Sequence, residues 1–73
     1  MNIEEMIKIQ NNESKYEELK EEYFKTEDID NKIRLLEEMI PIVKEIYEIN
    51  DNDNTNEVIK SLEFELKNLK SNK

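Results

Sequence analysis

The stretch DIDNKIRLLEEMIPIVKEIYEIN, residues 28–50, decides the fold of this chain. Two apolar stripes run along it at helical spacings of three and four residues. One stripe is Ile29, Ile33, Leu36, Ile40, Val43 and Tyr47, and the other is Leu35, Met39, Ile42, Ile46 and Ile49. At about 100° per residue the stripes together cover roughly 200° of a helix surface, which is more than one neighbouring helix can bury. The stretch therefore predicts a long central helix that contacts two others.

Pro41 lies inside this stretch, where its ring clashes with the preceding turn and its nitrogen has no proton to donate. A proline in a helix interior normally stops or kinks the helix. The two apolar stripes nevertheless keep the same phase on both sides of Pro41. We therefore expect one kinked helix over residues 28–50 rather than two separate helices.

The flanking segments also have helical patterns. Residues 56–70 carry one narrow apolar face, made of Val58, Ile59, Leu62, Leu66 and Leu69. Residues 2–25 carry two apolar sets on different faces: the first is Ile3, Met6, Ile7 and Ile9, and the second is Tyr16, Leu19 and Tyr23. A bend would bring the two sets to one side. We predict it near Asn11 and Asn12, because Ser14 and Glu17 have the spacing of a capping box.

The capping residues and the short connections predict the architecture. Thr26 or Asp28 can cap the central helix, and Asn54 or Thr55 can cap the last one. Short connections make successive helices antiparallel neighbours. We predict a single all-α domain over residues 1–73, an up-down-up three-helix bundle with helices at 2–25, 28–50 and 56–70. An acidic Asn/Asp loop is expected at 50–55, and a frayed carboxyl end at 71–73.

Composition excludes several kinds of chemistry. The chain has no cysteine, histidine, glycine or tryptophan, which removes disulfides, thiol nucleophiles, common zinc sites and glycine-rich phosphate loops. Its net charge of −8 opposes direct binding to nucleic acid. The first residues include neither a basic segment nor a long apolar run, so we expect no signal peptide, no membrane span and a cytoplasmic location. We predict no catalytic residue, cofactor or metal.

One loop has a pattern that resembles the start of an EF-hand calcium loop. Oxygen-bearing side chains alternate over the five residues from Asp51 to Thr55. The pattern then departs, because Asn56 stands where the glycine is needed and Leu62 stands where the bidentate glutamate is needed. We interpret the loop as a solvated turn, with weak calcium affinity left open.

A second pattern joins Glu17-Glu18-x-x-Glu21 to Glu48-x-x-Asp51. This arrangement resembles the carboxylates of the all-helical nucleotide pyrophosphohydrolases related to MazG. The resemblance implies magnesium held between facing helices. Glu17 and Glu21 point away from the face of Tyr16, Leu19 and Tyr23, so the favoured interpretation is a solvated acidic face.

The remaining candidate site is a surface for a protein partner. Its predicted carboxylates are Glu17, Glu18, Glu21 and Glu22, joined by Glu37 and Glu38, and its predicted apolar anchors are Phe24 and Phe64. The alternative is that pairs such as Glu17/Lys20 and Glu21/Lys25 only stabilise an exposed helix surface. Either phenylalanine could instead complete a core or a dimer seam.

These observations lead to three hypotheses about function. The first is a small acidic regulator or inhibitor that occludes a basic, nucleic-acid-handling surface of a larger protein. The abundance of residues with A/T-rich codons indicates a low-G+C source, which suits a phage or mobile-element product of the anti-CRISPR or anti-defence type. The second is a self-associating helical structural or adaptor protein, in which a second copy covers half of the wide central face around Ile42 and Ile46. The third is the magnesium-dependent pyrophosphohydrolase.

Overall fold

The computed structural model describes residues 2–72, and it consists of three helices: α1 (Ile3–Lys25), α2 (Ile29–Ile49) and α3 (Asp53–Ser71). Both α1 and α3 pack on α2. Over residues 2–72, no Cα atom of α1 comes within 8 Å of a Cα atom of α3. The predicted all-α three-helix bundle with a central second helix is confirmed, and its outer two helices are held together mainly through α2.

The hydrophobic core of the bundle lies along α2. Its centre is formed by Leu35, Leu36 and Met39, which are 0%, 1% and 1% exposed. The other buried apolar side chains are Leu19 of α1, Ile59 of α3, and Ile33, Ile40 and Val43 of α2. Both stripes of α2 are thus used within one chain, and Ile42 and Ile46 are partly buried there. The part of this face left for a second copy is therefore smaller than the sequence indicated, and self-association through it stays a prediction.

Helix α2 continues through Pro41 without interruption, as the phase of the stripes predicted. The Pro41 side chain is exposed, so its ring does not take a place in the core. Its nitrogen cannot donate to the carbonyl of Glu37 one turn earlier. The tertiary contacts on both sides of Pro41 therefore hold a helix that lacks one backbone hydrogen bond.

Each helix begins at a polar side chain that accepts a hydrogen bond from a backbone amide. Asn2 Oδ1 accepts from Glu5 N at 2.8 Å, Asp28 Oδ1 accepts from Asp30 N at 3.1 Å, and Asn52 Oδ1 accepts from Asn54 N at 2.8 Å. These bonds satisfy amides that have no partner inside the helix. Asp28 was one of the two predicted caps of α2. The other, Thr26, accepts from Asp28 N at 3.3 Å and so orders the corner before it.

Helix α3 begins at Asp53, earlier than the predicted residue 56, and the loop of 50–55 is correspondingly shorter. Asn52 is the cap in place of Asn54 or Thr55, and Asp53 places a negative charge in the first turn, where the helix dipole favours it. Asp53, Asn54 and Thr55 therefore belong to a helix and do not form the turn of an EF-hand-like loop. Helix α3 runs to Ser71; of the predicted frayed end, Lys73 lies outside the described residues.

Helix α1 has no break at Asn11 and Asn12, and Ser14 lies in its interior, so the predicted bend and capping box are wrong. The residues of α1 that turn towards α2 are Ile9, Asn12, Tyr16, Leu19 and Tyr23, which follow a spacing of three and four. Asn12 occupies a position in this seam where an apolar residue is expected. The apolar pattern of the seam is therefore interrupted in the sequence and could not be recognised there. Ile3, Met6 and Ile7 stay on another face and are 74%, 49% and 50% exposed.

The position of Asn12 predicts a stabilising substitution. Its Nδ2 atom is buried and makes no hydrogen bond of good geometry within residues 2–72, although the Asn12 side chain is near enough to Glu45 to help lower the pKa of that carboxyl group. Asn12→Leu replaces this poorly satisfied amide by apolar surface in the seam with α2, so we expect the free energy of unfolding to rise by about 1 kcal/mol. Urea denaturation followed by circular dichroism measures the change. Asn11→Leu is the control, because Asn11 is exposed, and a loss of stability in Asn12→Leu would contradict the prediction.

Candidate protein-binding site

Four of the predicted partner-binding carboxylates form one exposed surface on α1, which we call the acidic strip: Glu17, Glu18, Glu21 and Glu22. At about 100° per residue they spread over roughly 140° of the helix surface, opposite the seam with α2. The ion pairs within residues 2–72 join Lys8 to Glu45, Arg34 to Glu38, Lys44 to Glu63 and Lys70 to Glu37. None of them includes a carboxylate of the acidic strip.

The lysines of α1 that could neutralise the strip do not do so. Glu17/Lys20 and Glu21/Lys25 have the sequence spacing of helix-stabilising pairs, yet neither is among the ion pairs of residues 2–72. The Lys20 Nζ atom lies instead 5.9 Å from the ring centroid of Tyr16. The strip is therefore an exposed surface of negative charge without a compensating partner on its own helix.

Glu37 and Glu38 do not belong to this strip. Glu37 Oε2 lies 3.5 Å from Lys70 Nζ and connects α2 to α3. Glu38 Oε2 lies 3.3 Å from a guanidinium nitrogen of Arg34, four residues earlier on the same helix. Cations of the chain itself engage both carboxylates on a different helix from the acidic strip, and the role of Glu37 and Glu38 in partner binding stays a prediction.

The two predicted apolar anchors have different surroundings. Phe24 is 73% exposed and packs edge-to-face on Tyr23, with ring centroids 5.5 Å apart. Phe64 is 65% exposed and lies on the outer side of α3, away from the buried Ile59. Phe24 lines a concavity between α1 and α3. Of the eight predicted residues, the structure places the acidic strip and Phe24 on one helix and the other three elsewhere.

Sequence reasoning missed a groove between α1 and α3, which we call the α1–α3 groove. It consists of two concavities of about 350 and 200 Å³ that share Tyr16. Its floor is formed by α2, through Leu36, Met39, Val43 and Ile46. The one signal in the sequence was the width of the apolar face of α2, which leaves space between two helices packed on its two sides.

One polar contact crosses the α1–α3 groove. The hydroxyl of Tyr23 on α1 donates to Glu65 Oε1 on α3 at 3.1 Å. Burial raises the pKa of Tyr23, and the adjacent Glu65 carboxylate raises it further. The phenol therefore stays protonated at neutral pH and remains a donor to Glu65.

A second polar cluster lies where α1 meets the end of α2. Glu45 Oε1 lies 2.7 Å from Lys8 Nζ, and the bond and charge of Lys8 lower the pKa of Glu45. The same contact raises the pKa of Lys8. Each shift favours the form that the group already has at neutral pH, which suits a structural ion pair and does not suit a general acid or base.

The two patterns considered for metal binding are not assembled by the fold. In the part of the chain that the structure describes, no three carboxylates lie close enough together to hold a metal ion. Glu17, Glu18 and Glu21 lie on the outer side of α1, whereas Glu48 and Asp51 lie at the end of α2. The implied magnesium site of the MazG-related enzymes is therefore not formed by these residues.

Over residues 2–72, none of the helices has the length and apolar character needed to cross a membrane. No protein-family model, no curated protein and no solved structure matches this chain.

Proposed function

We propose that this protein is a small non-catalytic binding module that docks on a basic surface of a larger protein and occludes it. The observation that carries the proposal is the acidic strip of Glu17, Glu18, Glu21 and Glu22, which is exposed and has no ion-pair partner within residues 2–72. A net charge of −8 adds a long-range attraction to such a surface.

The mechanism is electrostatic and steric. Carboxylates of the strip meet lysine or arginine side chains of the partner, and the rate of association rises because opposite charges steer the encounter. Where the partner's basic surface normally holds a nucleic-acid backbone, the module competes with phosphate for the same cations. A regulator or inhibitor of a nucleic-acid-handling protein, of the kind encoded by phages and mobile elements, is the form of this function that we favour.

The test is affinity capture from a low-G+C bacterial lysate, with washes of increasing salt. Glu18→Lys/Glu21→Lys reverses two charges at the centre of the strip, and we expect the captured partner to bind about tenfold to a hundredfold more weakly, because attraction becomes repulsion. Binding strength is then measured with the purified partner by calorimetry.

The matched control is Glu4→Lys/Glu48→Lys, which makes the same change in net charge at two exposed positions outside the strip. The control should retain most of the affinity. Equal losses in both double variants would mean that only the overall charge matters, and an unchanged affinity in Glu18→Lys/Glu21→Lys would contradict the proposed role of the strip.

Self-association is the second candidate, and it has a different surface from the one expected from the sequence. Ile3, Met6 and Ile7 form an exposed apolar patch at the start of α1. If this patch joins two copies, light scattering detects a dimer that Ile3→Glu/Ile7→Glu dissociates. Ile42→Glu or Ile46→Glu would be uninformative, since these side chains are partly buried within the chain's own bundle.

A further inference from the structure

We infer that the partner presents a helix that lies along the outer side of α1, with apolar residues at one end and lysine or arginine at the other. Its apolar end contacts Ile3, Met6 and Ile7, which we call the α1 apolar patch, and its basic end contacts the acidic strip. The inference rests on the proposed function and names the chemistry and the length of the partner segment that α1 fits.

The α1 apolar patch is surface that the bundle itself does not use. All three of its side chains are about half exposed or more. The side of α1 that packs on α2 is formed by other residues, namely Ile9, Asn12, Tyr16, Leu19 and Tyr23. Large apolar side chains that are exposed next to one another, rather than singly, are typical of a surface that binds another molecule.

The α1 apolar patch and the acidic strip lie on the same side of one helix. Residues 18 positions apart are separated by five turns and point in the same direction, and Ile3 and Glu21 are such a pair. Helix α1 runs from Ile3 to Lys25 without a break, so this relation holds in the folded chain. At 1.5 Å per residue, the centres of the two surfaces are about 21 Å apart.

A single row of exposed side chains joins the two surfaces. Its members follow one another at alternating spacings of four and three residues: Ile3, Ile7, Gln10, Ser14, Glu17 and Glu21. This alternation is the pattern of a seam along which a second helix packs. The row is about 27 Å long, and its two middle members are uncharged. One straight helix of about 20 residues can therefore contact both ends of the row.

The chemistry of the row determines the chemistry of the helix that fits it. A helix that is apolar throughout would take the strip carboxylates out of water without a charge partner, which is costly. A helix that is basic throughout would place cations against Ile3 and Ile7 in the same way. A helix with an apolar end and a basic end avoids both costs, since opposite charges meet at one end and apolar side chains at the other.

A second copy of this chain fits the row less well. Two α1 helices side by side in parallel bring strip against strip, and four carboxylates from each copy repel. Two antiparallel helices with their rows fully overlapped place each α1 apolar patch against the other copy's carboxylates. Contact between the patches alone uses three side chains from each copy, whereas a standard interface uses about 20–30 residues a side.

The probes for this inference are synthetic helical peptides of about 22 residues. In the ordered peptides, leucines occupy the seam positions of one half and lysines those of the other half. Both orders are made, because α1 can pack against a parallel or an antiparallel helix. The control peptide has the same composition, with leucines and lysines alternating along the seam. We expect one ordered peptide to bind at least about tenfold more tightly than the control in calorimetry.

Ile3→Ser/Ile7→Ser tests the apolar end. Both side chains are exposed, so the change leaves the core and the net charge as they are. We expect the ordered peptide to bind this variant about tenfold more weakly than the unaltered protein. The matched control is Ile29→Ser/Phe64→Ser, which removes two exposed apolar side chains from α2 and α3 and should have little effect.

Glu18→Lys/Glu21→Lys tests the basic end and should weaken every peptide, because all of them carry the same lysines. Unchanged binding in this variant would overturn the inference. Equal binding of ordered and control peptides, or full binding by Ile3→Ser/Ile7→Ser, would also overturn it and would leave the proposed function unaffected. If no peptide binds, the inference is overturned and the lysate experiment decides the proposed function separately. A dimer in light scattering that Ile3→Ser/Ile7→Ser dissociates would assign the α1 apolar patch to a second copy and overturn the inference.

Discussion

Leu35→Ala should leave the protein largely unfolded at physiological temperature. Leu35 is 0% exposed and lies in the core cluster with Leu19, Leu36 and Met39. Replacing a fully buried leucine by alanine costs about 2–5 kcal/mol, because transfer energy is lost and a cavity remains. A single core in a chain of this size supplies about 3–5 kcal/mol in total. The loss of helical circular dichroism on warming measures the effect.

The control for this prediction is Ile3→Ala. It removes the same number of carbon atoms from an aliphatic side chain that is 74% exposed, so the free energy of unfolding should change by less than about 0.5 kcal/mol. A variant with Leu35→Ala that melts at the temperature of the unaltered protein would mean that the contacts around Leu35 do not carry the stability of the bundle.

The centre of this core could be predicted from the sequence. The two stripes of residues 28–50 contain all six buried residues of α2, because a period of three and four residues reports directly which side of a helix is covered. The width of the two stripes also indicated two neighbouring helices. Both conclusions depend on the hydrophobic pattern of one segment, where the sequence is most regular.

The course of α1 could not be predicted in the same way. Asn11 and Asn12 are only weak helix formers, and their cost of a few tenths of a kcal/mol each is small beside the burial of Tyr16, Leu19 and Tyr23 against α2. The spacing of Ser14 and Glu17 matched a capping box, but that pattern also occurs inside helices of a chain with so many glutamates. Tertiary packing decided the outcome.

The candidate site was predictable only in part. Exposure of the acidic strip followed from its position opposite Tyr16, Leu19 and Tyr23. The engagement of Glu37 by Lys70 did not, since a pair between different helices depends on how α2 and α3 pack. The α1–α3 groove is likewise a property of three helices together, and neither the spacing within α1 nor that within α3 describes it.

Pro41→Ala should stabilise the protein by up to about 3 kcal/mol, which is the difference between proline and alanine in a helix interior. Alanine restores an amide that can donate to the carbonyl of Glu37, and it removes the clash of the proline ring with the preceding turn. The Pro41 side chain is exposed, so little packing is lost. For a domain of this size, the melting temperature should rise by about 10 °C or more.

Glu48→Ala is the control, because it introduces alanine at another exposed position of α2 that already donates a helical hydrogen bond, and its melting temperature should change little. A fall in melting temperature for Pro41→Ala would mean that α3 requires the backbone geometry imposed by the proline. Such a result would have a structural explanation, because Pro41 lines a concavity between α2 and α3 together with Ile40 and Leu66. The double variant Pro41→Ala/Leu66→Ala then tests this explanation, because a stability change that differs from the sum of the two single variants would show that residues 41 and 66 act on the same α2–α3 surface.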